Sequence, residues 1–315
     1  MLKIPTKKGN STKSLIQGNR QKGFTKGSLD KGFLIKVYGG IPILKCPFFF
    51  LMGEKLMKEK FNVLVLDTET HFKSLYNKMV FDIGWTVGDV RSLTAPKKEK
   101  QFYIKEFLKP SMWNHTYLDK KSGKRKFWYH DLRADEVLEK AHSQKDKIVS
   151  WNEVLEELEF DISLVEGVGS YNWTFDRGAI EDTSLKLNHQ TFLSHLDFRP
   201  FCIQDMYVNK VINRDYFDYI DNEISEDEKE LFKSKSGKNL GYSAEIMARY
   251  IHKFLGYIEA HTSLEDATIE TELTRIFCQK YWCDFRKNFL GNPKNVSWTV
   301  VRKRLSSAEK MRKRG

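Results

Sequence analysis

Apolar residues gather first in three short runs. FNVLVLD (61–67) is an almost unbroken apolar stretch of the kind that fills a strand covered on both faces. MVFDIGWTV (79–87) predicts a second strand and FYIKEFL (102–108) a third. A polar stretch separates the first two, while Gly88-Asp89 and Lys97–Lys100 form the break before the third. The spacing of apolar positions then widens to that of helices over 131–142 and 151–160. LVEGVGSYN (164–172) reads as a strand feeding a helix that starts near Thr174, and DMYVNKVI (205–212) reads as helical. YIDNEISEDEKE (219–230) is acidic and predicts a surface insertion; helices return at 242–255 and 263–284. Strands first, then strands and helices interleaved, predict an α/β mixed sheet with helices packed on its faces. No internal repeat is visible.

Length and composition fit this pattern. A chain of 315 residues and 37.1 kDa can hold one large α/β domain or two smaller ones, and 40% apolar residues can supply the core. The formal charge of +11 points to a nucleic-acid partner, but it is unevenly spread. Residues 1–56 carry 11 Lys/Arg against 2 Asp/Glu, and 302–315 (RKRLSSAEKMRKRG) carry 7 against 1. The remainder, with 35 against 39, is mildly acidic. The basic character therefore lives in the two ends.

Residues 1–40 are rich in Gly, Ser and Lys with little periodicity, which predicts disorder. Strong patterning begins only after Met57, and Gly53-Glu54 can be encoded by a purine run such as GGAGAA that would serve as a ribosome-binding site. The expectation is a basic leader over 1–56, read in frame before a start at Met57, a folded domain over 57–290 and a basic tail over 291–315. IPILKCPFFFLM (41–52) is broken by Lys45 and two prolines and falls short of the roughly 20 residues that cross a bilayer. Cys46, Cys202, Cys278 and Cys283 show neither CxxC pairing nor zinc spacing, as expected of thiols in a reducing compartment. Together these predict a soluble, cytoplasmic protein without a membrane partner.

Candidate chemistry sits where elements begin and end. Thr262 followed by Glu265 has the spacing of a capping box, so a helix begins there, with His261 just before it and Asp266 in its first turn. Five steps of about 100° separate the two by about 140°, so they can serve a common object only if it lies beyond the helix N-terminus. In VLVLDTET, Asp67 and Glu69 share one face at a strand's exit, although such charges are also ordinary turn chemistry. In YNWTFDRGAI, Thr174 is a candidate N-cap and Asp176 falls in the first turn, where plain capping is the commoner role. Four converging carboxylates would repel and raise one another's pKa unless cations sit between them. Hard oxygen ligands open to a phosphate suit two Mg²⁺ or Mn²⁺ ions, which can activate water and stabilise a departing oxygen. His261 would then act as the base that titrates near neutrality.

LDTET, YNWTFD and HTSLED, in that order, resemble the three motifs of the DEDDh 3′→5′ exonucleases of the proofreading-subunit type, with the H-x₄-D spacing intact. The likeness covers roughly 60–285 and implies a ribonuclease H-like mixed sheet flanked by helices. It implies that Asp67, Glu69 and Asp266 bind the first of two metal ions, that Asp67 bridges to the second with Asp176 nearby or acting through water, and that His261 is the general base. Phage-encoded and stand-alone bacterial members are the most similar in style. The expected activity is removal of 5′-mononucleotides from single-stranded or frayed DNA ends in replication, repair or proofreading, with DNA and a polymerase or replisome as partners. An exoribonuclease trimming RNA 3′ ends and a non-catalytic nucleic-acid-binding replisome subunit are the alternatives. Thr68, Phe72, Asn172 and Trp173 are candidate substrate contacts, since aromatic faces stack bases at about 1–3 kcal/mol each; Trp173 and Phe175 fit a core equally well. His189, His195 and His252 have no matching partners in the pattern. The chain departs from the family at His71-Phe72, where a small residue and glycine are usual, in the 219–230 segment and in the basic tail, which can hold phosphates, solubilise or dock.

Overall fold

The computed structural model describes residues 60–293, apart from 75–76, 93–95, 110–112, 114–115, 119–121, 128–133, 190–192, 194–196, 235–239 and 259–260, together with residues 36–38 and 41–43. Most of the expected leader and nearly all of the expected tail lie outside the described residues. Lys36–Tyr38 and Ile41–Ile43 pair antiparallel in a unit of their own.

The main unit is built on six strands: β1 (Asn62–Ser74), β2 (Asn77–Asp89), β3 (Lys98–Ile104), β4 (Ile148–Val149), β5 (Gly167–Ser170) and β6 (Pro200–Cys202). Their order across the sheet is β6-β5-β1-β2-β3-β4. β2 runs antiparallel to both β1 and β3, while β5 runs parallel to β1 and β6, and β4 to β3. Seven α-helices are described around it: α1 (Ala134–Ser143), α2 (Trp151–Ile162), α3 (Trp173–Lys186), α4 (Ile203–Lys210), α5 (Arg214–Asn222), α6 (Ala244–His252) and α7 (Ser263–Asp284). This is the expected mixed sheet flanked by helices.

Two cores sandwich the sheet, and strand alternation assigns side chains to each. From β1, Val63 and Val65 join the core under α4, α6 and α7, while Leu64 and Leu66 join the one under α2 and α3. β2 divides more sharply. Phe81, Ile83 and Trp85 fill the α2–α3 side, where the Trp85 indole donates to Asp161 at 2.9 Å. Asp82, Gly84 and Thr86 meet α7 instead. The hydroxyls of Thr86 and Thr271 are hydrogen-bonded, and a Cβ at Gly84 would lie 2.4 Å from the Leu264 amide nitrogen. Only a residue without a side chain lets α7 come this close.

Some element boundaries differ from the sequence expectation, each for a physical reason. β3 begins at Lys98, inside the stretch read as a connection, and residues 105–107 turn into a 3₁₀ helix. Lys98 and Lys100 make a strand there because they pair with Asp161 and Glu157 on α2. The 219–230 segment is not a plain surface insertion. Its acidic residues face outward, but Tyr219, Ile220 and Ile224 enter the core from α5 and the turn after it. α3 starts at Trp173 with Asn172 in the N-cap position, so Thr174 is not the cap.

Candidate metal centre

β1 carries its apolar run straight into Asp67, Thr68 and Glu69, and the alternation continues through them. Thr68 turns to the α3 side and donates to Asp176 Oδ1 at 2.7 Å. Asp176 sits in the first turn of α3. Glu69, on the other face, meets α7: one oxygen of Glu69, one of Asp266 and a ring nitrogen of His261 all lie within 4.8 Å of one another. His261 holds φ +54°, a left-handed conformation that non-glycine residues rarely keep and that clusters at functional sites. One sharply turned residue just before α7 thus offers its imidazole beside the two carboxylates.

The electrostatics match a site built for cations. Burial pushes the Asp67 carboxyl well above its ordinary range, and Glu270, Asp176, Glu69 and Asp266 push in the same direction. Burial also raises Asp176, to about 6, although the hydrogen bond from Thr68 and the positive charge of Lys78 oppose the rise. A carboxyl lifted by its acidic neighbours as Asp67 is gains most from a divalent ion bound beside it. The donors are hard oxygens with one imidazole, a set suited to Mg²⁺ or Mn²⁺. These residues can therefore hold a metal ion.

Five motif residues converge, but the four expected substrate contacts fare differently. Trp173 is 2% exposed and packs edge-on against Phe198 at 5.8 Å, so its indole is a core residue and offers no face to a base. Thr68 is buried and its hydroxyl serves Asp176 rather than a nucleotide. Asn172 stays exposed at the start of α3 and accepts from the Phe175 amide through its carbonyl at 2.8 Å. Phe72 continues β1 opposite Lys78, and its side chain lies outside the described residues. The capping box at Thr262 also takes another form: the Thr262 hydroxyl bonds the Glu265 carboxylate and no helix amide.

Two buried carboxylates beside this cluster, Glu270 and Asp82, went unnoticed in the sequence. Glu270, 2% exposed, accepts from the Tyr171 amide at 2.9 Å and is foremost among the charges acting on Asp67. Its signal was its place four residues beyond Asp266, on the same helical face. Asp82 was the lone charge inside an apolar strand run, a position that demands partners when buried.

Neither protein-family models nor curated proteins yield a match to this chain. Solved structures do, at low identity. The nuclease domain of 3′hExo, a DEDDh family member bound to rAMP, is 10% identical, with 71% of this chain and 94% of that one covered and a TM-score of 0.41. S. pombe Pop2p in its Mg²⁺- and Mn²⁺-bound form is 13% identical, covering 74% and 89%, with a TM-score of 0.41. The zinc-bound E. coli ExoI–ssDNA complex is 11% identical, covering 72% and 42%, also with a TM-score of 0.41.

Proposed function

We propose that the chain is a metal-dependent 3′→5′ exonuclease that removes 5′-mononucleotides from single-stranded or frayed DNA. The observation that carries this reading is the meeting of Asp67, Glu69, Asp176 and Asp266, drawn from three distant segments, with His261 beside them. The four carboxylates would hold two Mg²⁺ or Mn²⁺ ions, whose charge supplies activation of water and stabilisation of the departing oxygen. Thr68 keeps Asp176 in place by a hydrogen bond that needs no rearrangement when substrate arrives. His261 takes the proton of the attacking water, and its half-exposed position leaves a path for that proton to solvent. Asn172, exposed at the start of α3, contacts the terminal nucleotide.

The test uses 3′- and 5′-labelled DNA and RNA oligonucleotides incubated with Mg²⁺ or with chelator. A ladder that shortens from the 3′ end of DNA, and stops on chelation, is the expected result. Shortening of RNA alone would move the substrate to RNA 3′ ends, and intact oligonucleotides of both kinds would end the nuclease reading.

A further inference from the structure

The proposed mechanism leaves Asp82 without a task, although it is among the most heavily engaged buried charges in the molecule. We propose that Asp82 is a positioning residue for the same site: it fixes the start of α7 so that the His261 imidazole stays aimed at the reacting water. This rests on the nuclease reading above.

Asp82 lies in β2 directly opposite Glu69 of β1. Its carboxylate is 2% exposed and accepts from the Ser263 hydroxyl at 2.5 Å, from the Ser263 amide at 3.3 Å and from the Gln101 amide group at 3.1 Å on each oxygen. The first amide of α7 is thus served by a strand 181 residues earlier in the chain, while the hydroxyl of Thr262, in the N-cap position, bonds the side chain of Glu265 and no helix amide. Helix capping is normally local. Here it has become a tether between the catalytic sheet and the helix.

What the tether holds can be told from its neighbours. Asp266, inside α7, is fixed by the helix itself, its amide donating to the Thr262 carbonyl at 2.9 Å. His261 lies outside the helix and keeps φ +54°, a conformation that persists only where the surroundings impose it. Ser263 is two residues away and is bonded to Asp82 through both its hydroxyl and its amide. Gly84, on the same face of β2, admits the helix backbone so closely that a Cβ would lie 2.6 Å from the Leu264 Cα. The anchor and the gap together set where His261 begins.

The experiment compares Asp82→Asn and Ser263→Ala with the wild-type chain on a 3′-labelled oligonucleotide in Mg²⁺, each also in a His261→Ala background. Both substitutions are expected to lower kcat by about 10–100-fold while KM moves by less than about threefold, as when a catalytic group is misplaced by a fraction of an ångström to an ångström. In the His261→Ala background the same changes should cost less than about threefold, because the group they aim is already gone. Losses that multiply in full in that background, or a kcat within about threefold of wild type for both variants, would overturn the proposal. Ser263→Ala deletes one hydroxyl and carries the comparison alone should Asp82→Asn fail to fold. A wild-type chain that cuts neither DNA nor RNA would remove the nuclease reading and this one with it; a cutting wild type with multiplying losses removes only this one.

Discussion

The two faces of β2 make opposite demands on the sequence. Toward α2 and α3 the strand presents Phe81, Ile83 and Trp85, bulky groups that hold layers together by filling space. Toward α7 it presents Asp82, Gly84 and Thr86, which bury little apolar area but set how close a helix comes and where it starts. One face supplies stability and the other supplies position. The difference teaches that a strand next to a candidate metal centre is read by its small and polar residues as much as by its large ones.

Substitutions can break or sharpen that contrast. The largest effect is expected among the residues facing α7: Asp67→Ala should abolish hydrolysis while the far-ultraviolet circular dichroism and the unfolding midpoint stay near wild type. His261→Ala should lose about 10²–10⁴-fold in kcat, the usual value of a positioned proton acceptor, measured by quenched-flow or gel assay. On the opposite face, Trp85→Ala should cost about 3–5 kcal/mol in denaturant unfolding, yet leave kcat per folded molecule unchanged. A fall in kcat with no change in stability there would erase the distinction. Gly84→Ala is the sharper probe, because its methyl group meets helix backbone rather than a flexible side chain. About 1–3 kcal/mol of destabilisation is expected, accompanied by lower kcat.

The smallest effect concerns pH. Asp176 is raised to about 6 and Asp67 is raised well above its ordinary value, so the folded, metal-free chain holds protons that the unfolded chain has released. Stability from these groups is present at low pH and is lost as pH rises from about 4 through about 6. Divalent ions replace those protons. The gain in melting temperature on adding Mn²⁺ should therefore be larger at pH 7.5 than at pH 5, by a few degrees in a thermal-shift assay. Equal gains at both values would contradict the electrostatic account of the cluster.

Much of this was legible in the sequence, and what was not shares a cause. β1 and β2 announced themselves through apolar runs, and Asp67, Glu69, Asp176, His261 and Asp266 through their places at element ends. Lys98 and Lys100 looked like loop because the Glu157 and Asp161 that make them a strand lie on a helix far along the chain. Asp82 hid for the same reason, its partner Ser263 being 181 residues away. Trp173 invited a stacking role from its neighbours in the motif, but helix periodicity turned it inward toward Phe198. In 219–230 the acidic count concealed the amphipathic spacing of Tyr219, Ile220 and Ile224. Local pattern is read from local residues; a long-range partner is written elsewhere.

In β1, Asp67 and Glu69 face one layer while Thr68 reaches across to the other to hold Asp176. A slip of one residue in pairing would send both acids to the wrong layer and put the hydroxyl in their place. On the proposed nuclease reading, misassembled molecules would then be inert rather than sluggish, and specific activity in a refolded sample would count the correctly zipped fraction.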